Sequence, residues 1–444
     1  MAVNIPKLDL TSKIILITAI AVRAILSYFN LEFNDDHITP ILLWVENGHY
    51  PEALDCWECF QPPLYYSLIL LIGKLFDAVS FNDYLTIVRA VNFVFSGLIA
   101  VIIARRINRI VDHKLLKYAV MAFWLFNPEL ISIGALNTND IALILVGLIV
   151  YPFITRYWQN ISIIDEVVIW SLLVLASLLK GNGLVFVIIF IAVIGIKFLD
   201  RKYKLKDIIR LFIFFSVSVC LIGVGGKYYH KYKVFNNPFI INQNPAPTPN
   251  IFQADSAFQG RKGVTTISES FFTFRLFSLL EEPFNRNGSK DYQVHRTSFF
   301  TQLYGQFSNY FFESHPGSWR SNNNDMKNFV RVNYILHLPL LAMFVYLIVI
   351  RIRKLWPFKK ADVSSYFDML VLGIFMMFLI RYSIIYRDFS NMKIVFVFPM
   401  LIGLINLFYE SIKSKRYTKP MAYLLLLCAL LYNINYVYLI LRLS

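Results

Sequence analysis

Long apolar stretches separated by short polar segments recur from the beginning of the chain to its end. A helix needs about 20 residues to cross the hydrocarbon core of a bilayer. The candidate stretches lie at about 13–29, 84–104, 116–136, 140–155, 165–180, 183–199, 209–226, 331–350, 366–386, 392–410 and 421–441. The pattern predicts an all-α polytopic membrane protein with about 11 transmembrane helices.

One further apolar run, at about 64–79, is shorter than the others. It follows Pro62-Pro63 and contains Gly73 and Lys74. Its length, roughly 16 residues, suits a helix that lies along the membrane interface better than one that crosses.

Lys and Arg are concentrated in four short segments between the apolar runs. The clusters lie at 105–117, 197–210, 351–360 and 413–419. If 64–79 does not span, all four lie on the same side as the amino terminus, which carries Lys7 and Lys13. Because cytoplasmic loops collect basic residues, this arrangement predicts a cytoplasmic amino terminus and an outer carboxy terminus.

Composition agrees with a membrane protein, since 57% of the 444 residues are hydrophobic and only 16% are charged, against about 25% in soluble domains. The net charge of +15 is then a topology signal, and it does not indicate a nucleic-acid partner. Four cysteines exclude a disulfide scaffold. The first apolar run lacks a small-residue cleavage site, so we expect a retained span.

Two long polar segments fall on the outer side, at roughly 30–83 and 227–330. The expected organisation is an amino-terminal transmembrane module over 1–226 and a cap loop over 227–330. Carboxy-terminal transmembrane helices over 331–444 complete it.

Adjacent carboxylates, Asp35 and Asp36, follow the first apolar run directly. Paired acids can share a proton or bind a cation, because each raises the proton affinity of the other. Alternatively, Asn34 or Asp35 caps the amphipathic helix expected at about 37–47, which Gly48 would end.

Cys56 and Cys59 form a CxxC motif in the same outer segment. The two cysteines can form a disulfide that rigidifies the loop or stay as free thiols. A zinc site with His37 or His49 is a third reading, although no second CxxC supports it. Cys220 and Cys428 lie in apolar runs, where we expect packing roles.

The acidic pair, the amphipathic helix ending at Gly48 and the run from Pro62 to Tyr66 together resemble the GT-C superfamily of lipid-linked-sugar glycosyltransferases. That superfamily includes protein O-mannosyltransferases and the aminoarabinose transferase of lipid A. The resemblance implies a juxtamembrane helix after Pro62-Pro63, which the charge distribution favours independently. It also implies that the cap loop covers the active site and selects the acceptor.

A further acid, Asp140, lies at the outer end of the loop between the third and fourth spans. Alternatively, Asn137, Asn139 and Asp140 form an N-capping cluster for the fourth span. Similarity to the GT-C superfamily implies a catalytic role for Asp140 beside Asp35 and Asp36, because loops on one face can converge on one pocket. A Mg or Mn ion between Asp36 and Asp140 would suit such oxygen ligands.

Four basic residues resemble the cations with which the superfamily binds the donor phosphate. Arg89, beside Asn92, can instead be an arginine that extends to the interface. Lys180 can instead belong to the tight turn that Gly181 and Gly183 require. Arg387 and Lys393 can instead mark the interface. His37, Gln61, Tyr65, Asn139 and His295 are the candidate substrate-binding residues.

The resulting hypothesis is an inverting glycosyltransferase that moves a sugar from a polyprenyl-phosphate donor to an acceptor hydroxyl on a lipid, glycan or protein. Its active site would face the outside of a bacterial or archaeal cytoplasmic membrane, or the lumen of the endoplasmic reticulum, and its other partners would be membrane lipids.

Two alternatives remain. An O-antigen-type polymerase or ligase would depend on loop residues such as Arg261, Arg275 and His295. A transporter or flippase would depend on charges within spans, for which Arg23 and Arg381 are the strong cases.

Overall fold

The computed structural model describes residues 7–29, 37–159, 162–199, 203–241, 267–281, 283, 298–308, 326–355, 366–386, 393–413 and 418–443. Helices account for nearly all of these residues. The amino-terminal part contains α1 Leu10–Phe29, α2 Thr39–Asn47, α3 Leu64–Leu75, α4 Phe81–Ile110, α5 Lys114–Leu125, α6 Pro128–Ala135, α7 Asp140–Gln159, α8 Ile163–Leu179, α9 Leu184–Leu199 and α10 Leu205–Gly225. The remainder contains α11 Tyr228–Phe235, α12 Ile267–Phe271, α13 Leu276–Glu281, α14 Phe299–Ser308, α15 Lys327–Leu355, α16 Phe367–Tyr386, α17 Leu401–Ile412 and α18 Thr418–Leu443, with 3₁₀ turns at Gly181–Gly183 and Ile394–Met400.

The prediction of an all-helical, multi-pass membrane protein is confirmed in the described part of the chain. Ten helical segments there are long and apolar enough to cross a membrane. The remaining predicted span, at about 165–180, corresponds to α8, which has 17 residues and therefore a length of about 26 Å. That length is close to the lower limit for a transmembrane helix, so this span stays a prediction.

The run after Pro62-Pro63 is a short helix, as predicted. It ends at Leu75 after 12 residues, and at 1.5 Å per residue it reaches only about 18 Å. Since the hydrocarbon core is about 30 Å thick, α3 does not cross it alone. Helix α2 also ends where expected, at Gly48, which adopts a left-handed conformation with φ 73°.

Described residues of the basic clusters pair with polar side chains near the helix ends, and we call the end of the bundle that carries Lys117, Arg106 and Arg351 the basic end. Lys117 pairs with Asp9 at 2.6 Å, and Arg106 donates to Asn406 at 2.7 and 3.0 Å. Arg210 donates to the buried Glu166 at 2.5 and 2.9 Å. The described loops at the opposite end, which we call the site end, are those around 48–63, 136–139, 180–183 and 226–227.

The third span is broken, and it is the most deeply buried of the ten. The break falls at Asn127, whose side chain caps α6 by accepting from the Leu130 amide at 3.3 Å. Glu129 on α6 is completely buried. It is an acid within a span that no sequence motif identified. Arg23 on α1 is also buried, and its Nε donates to Ser96 at 3.0 Å, whereas Arg381 is exposed.

Part of the predicted cap loop packs inside the bundle. Helix α14 contacts α6, α15 and the 3₁₀ turn at 394–400, and nearly all of its residues are buried. At one end of α14, Asn127 donates to the Phe307 carbonyl at 2.9 Å.

Candidate functional site

The centre of the site is a buried ion pair between Asp140 and Lys180. Asp140 is the first residue of α7, where the helix dipole favours a carboxylate. The Lys180 ammonium lies 2.7 Å from Asp140 Oδ1, and the two side chains are 9% and 12% exposed respectively. The Thr138 hydroxyl donates to Oδ2 at 3.1 Å, so both carboxylate oxygens have a partner.

The turn that presents Lys180 depends on glycine, as the sequence indicates. A Cβ at Gly183 would lie 2.1 Å from the Ala176 carbonyl oxygen, so no larger residue fits there. Lys180 Nζ also lies 5.7 Å from the centre of the Phe396 ring, which brings the 3₁₀ turn at 394–400 to the pair.

Two more nitrogen-bearing side chains lie near Asp140. Lys393 and His37 are within electrostatic range of its carboxylate, in addition to the directly paired Lys180. Three separate segments therefore bring a lysine or an imidazole to the neighbourhood of one acid. A cluster with this excess of positive groups is suited to hold an anion such as a phosphate.

Asn92 holds the loop that carries Asp140. Its amide nitrogen donates to the carbonyls of Leu136 and Thr138 at 2.7 and 3.0 Å, and its Oδ1 accepts from the Tyr65 hydroxyl at 2.9 Å. Tyr65 and Asn92 are both fully buried. These bonds connect α3 through α4 to the 136–139 loop, an arrangement that makes both residues supports of the site.

Arg89 lies one turn from Asn92 on α4, so the two side chains share a face of that helix. Its Nε and Nη2 are buried and make no hydrogen bond to any residue that the structure describes. These two donors are available to a ligand near the 136–139 loop.

His37 joins the first outer segment to the site. Its Nδ1 lies 2.8 Å from the Tyr66 hydroxyl, and Tyr66 packs against Tyr50 with the ring centres 5.8 Å apart. Tyr50 donates through its hydroxyl to the Gln61 carbonyl at 3.0 Å. A continuous set of buried ring side chains thus links residues 50–66 to His37.

Residues 50–61 form a segment that we call the strap. A disulfide between Cys56 and Cys59 lies within it. Of the three readings of the CxxC motif, the disulfide is therefore the one that the structure shows. Within the strap, Gln61 Nε2 donates to Glu58 at 3.0 Å.

Three side chains from α11 and the residue before it, Lys227, hold this strap. Lys227 and Lys231 donate to the carbonyls of Tyr50 and Phe60 at 2.9 and 2.5 Å, and His230 lies 2.8 Å from Glu52. Burial, together with the nearby Lys227 charge, lowers the pKa of Lys231 to about 8.

The sequence-predicted site residues divide into two groups. His37, Gln61, Tyr65, Arg89, Asn139, Asp140, Lys180 and Lys393 lie at the site end of the bundle. Asp35, Asp36, Arg387 and His295 lie outside the described residues, and their roles stay predictions. Asp36 immediately precedes His37 in the chain.

Divalent-cation binding by Asp36 and Asp140 also stays a prediction. Within the described residues, no group of three or more His, Cys, Asp or Glu side chains is placed to hold a metal ion. Lys180 already neutralises Asp140, so the described donors do not by themselves form a divalent-cation site, and no chemical step is derived through a metal.

Several residues of the site were not identified from the sequence. Tyr50 gave no motif, because aromatic side chains are common in cores, and Tyr66 was noted only as the end of the run that begins at Pro62. Asn92 had a weak signal, a single amide within an apolar run, which in a membrane span calls for a partner.

No protein-family model matches the chain, and no curated protein matches it. The chain is similar to the crystal structure of ArnT from Cupriavidus metallidurans bound to undecaprenyl phosphate, with 15% identity and a TM-score of 0.36. The match covers 90% of this chain and 77% of that chain. The apo structure of the same protein gives 15% identity, a TM-score of 0.34, and coverage of 89% and 77%. Overlaps of this quality do not assign the chain to a family.

Proposed function

We propose that this chain is a GT-C-type glycosyltransferase that moves a sugar from a polyprenyl-phosphate donor to an acceptor hydroxyl, with inversion. The observation that carries the proposal is the buried Asp140–Lys180 pair, 2.7 Å apart, with Lys393 and His37 within electrostatic range of the Asp140 carboxylate. The resemblance to the superfamily rests on the motifs from Asp35 to Tyr66, and His37, the residue after Asp36, lies within electrostatic range of Asp140.

The basic residues would bind the donor. A lipid phosphate carries negative charge before the reaction and gains more when it leaves the sugar. Lys180 and Lys393, with the unpaired Nε and Nη2 of Arg89, would stabilise that charge in a site of low dielectric constant. Arg387 is a further candidate from the sequence.

The acid pair at 35–36 would supply the base. Asp35 or Asp36 would take the proton from the acceptor hydroxyl as its oxygen attacks the anomeric carbon. The bond from the anomeric carbon to the phosphate oxygen breaks, and its electron pair leaves with the polyprenyl phosphate. Asp140, whose two oxygens are already engaged, would hold Lys180 in position.

The basic end of the bundle would face the cytoplasm, which places the site on the extracytoplasmic side. A lipid-linked donor would enter from the membrane, and the acceptor from the aqueous side. Lipid, glycan and protein acceptors all fit this arrangement.

The proposal is tested by mixing purified protein with a panel of polyprenyl-phosphate sugars and acceptors. We expect loss of one labelled donor, together with a product of matching mass. Asp35→Asn or Asp36→Asn should abolish transfer without loss of membrane insertion, and Asp77→Asn, at an exposed position of the site end, is the matched control.

Full activity in both single variants would remove the base assignment. Accumulation of a substrate inside vesicles, with no glycan product, would favour a transporter over the proposed enzyme.

A further inference from the structure

Gln302 on α14 is a buried amide without a partner in the part of the chain that the structure describes. The residue is completely buried, and neither its Oε1 nor its Nε2 makes a hydrogen bond to a described residue. Buried polar side chains in folded proteins are nearly always paired, because an unpaired one loses its hydration without compensation. This amide therefore requires either an enclosed water or a ligand.

The position of Gln302 favours a ligand. Gln306, four residues later on the same helix, accepts from the Ile394 amide at 2.7 Å. Residues four apart share one face of a helix and lie roughly 6 Å apart. Gln302 therefore faces the same interior, next to the segment in which Lys393 precedes Ile394.

Asn139, next to Asp140 in the chain, repeats the feature. Its Nδ2 donates to the Leu179 carbonyl at 3.3 Å, but its Oδ1 is buried and has no hydrogen-bond partner among the described residues. The 393–396 segment connects the two amides, because Gln306 on the Gln302 face binds the Ile394 amide and Lys180, paired with Asp140, lies 5.7 Å from the Phe396 ring.

We propose that Gln302, together with Asn139, forms a subsite for the hydroxyl groups of an uncharged sugar. A sugar hydroxyl both donates and accepts, and a carboxamide offers both complements. An amino sugar is disfavoured there, because its ammonium would lie near Lys180 and Lys393. This inference deepens the proposed function and rests on it for the identity of the ring as donor or acceptor.

The decisive variant is Gln302→Met, which preserves the length of the side chain and removes both polar atoms. Replacing an unsatisfied buried amide by an apolar group of similar shape does not destabilise a fold. We therefore expect an unchanged or higher melting temperature, together with a roughly tenfold weaker interaction with the sugar substrate, as expected for about 1.4 kcal/mol.

The matched control is Gln306→Met on the same helix face. That change removes the acceptor for the Ile394 amide, so we expect a lower melting temperature. The pair separates a side chain that supports the fold from one that supports a ligand.

Binding and transfer are measured separately, with a polyprenyl-phosphate hexose and the corresponding amino sugar as probes. Weaker equilibrium binding of the hexose in Gln302→Met assigns the subsite to the donor, even if no transfer occurs. An increased KM for the acceptor alone assigns it to the acceptor. In Gln302→Glu, a carboxylate would pair with an ammonium, so we expect preference to move towards the amino sugar.

A lower melting temperature with unchanged binding would overturn the inference in favour of a structural role. A higher melting temperature with unchanged binding and unchanged KM for both substrates would overturn it in favour of an enclosed water. If the wild-type protein binds the hexose through Gln302 but transfers nothing, the proposed function fails and the subsite stands.

Discussion

The Asp140–Lys180 pair permits a double-mutant cycle whose outcome follows from its burial. The charged atoms are 2.7 Å apart, which at an effective dielectric constant near 20 corresponds to an attraction of about 6 kcal/mol. Removing both ions from water costs several kcal/mol for each, so the pair as a whole adds little net stability. Breaking it leaves one buried charge unpaired, at a cost of about 3–5 kcal/mol.

We therefore expect Asp140→Asn and Lys180→Met each to destabilise the protein strongly. The double variant should be much less destabilised than the sum of the two, by about 3–5 kcal/mol. Thermal unfolding of the purified protein in detergent, followed by tryptophan fluorescence, measures the three variants against the wild type. Transfer should be lost in all three, because Lys180 also acts on the phosphate or is no longer held in place.

Additive losses of stability in the double variant would refute the pairing. So would single variants that melt at the wild-type temperature. Lys413→Met, at an exposed lysine of the basic end, is the control for a general effect of removing one positive charge.

Three further outcomes are expected. Asn92→Leu should abolish transfer and lower the melting temperature, because it leaves three polar groups unpaired at a cost of about 1–3 kcal/mol each. The control Asn82→Leu, at an exposed position of the same helix, should do neither. Equal effects of the two variants would contradict the role of Asn92. A reducing agent should lower the melting temperature of the wild type but not that of the double variant with Cys56→Ser and Cys59→Ser. The wild type should be more stable than this variant by about 2 kcal/mol at most, because the disulfide closes so small a loop. A wild type whose melting temperature does not change would argue against the disulfide. The pKa of Lys231 is lowered to about 8 in the folded state, below its value of about 10.5 in the unfolded chain. The wild type should therefore gain stability relative to Lys231→Met as the pH rises from 8 to 10.5. A constant difference in melting temperature across that range would refute the shift in pKa.

The sequence allowed most of the fold to be predicted, because span length and charge distribution are local properties. The apolar runs indicate where the helices lie. The basic clusters, such as the one that contains Arg106 and Lys117, indicate which helix ends belong to the basic end of the bundle. The short run after Pro62-Pro63 was correctly placed by combining its length with this charge bias. No comparable rule foretells the break at Asn127 or the burial of α14, since both depend on packing between distant segments.

Several residues that lie together at the site end were candidates from the sequence, but their pairings were not predicted and their functional roles stay predictions. Asp140 and Lys180 were both recognised, one as an acid and the other as a phosphate ligand, yet nothing in their sequence spacing of 40 residues couples them. The same holds for Asn92, whose three bonds reach α3 and the 136–139 loop. Gln302 left no signal at all, because its importance lies in the partner that it lacks.

The pairing changes how the three acids of the site can divide the chemistry. An ammonium on one oxygen of Asp140 and the Thr138 hydroxyl on the other both stabilise its charged form, which makes it a weaker base towards the acceptor hydroxyl. If Asp140 were the base, its protonation would also remove the charge that holds Lys180 in position as the donor phosphate leaves. An arrangement in which Asp140 holds Lys180 and the residues at 35–36 take the proton avoids this conflict. It follows that Asp140→Asn should weaken binding of a polyprenyl phosphate without a sugar, whereas Asp35→Asn and Asp36→Asn should leave that binding intact and affect only transfer.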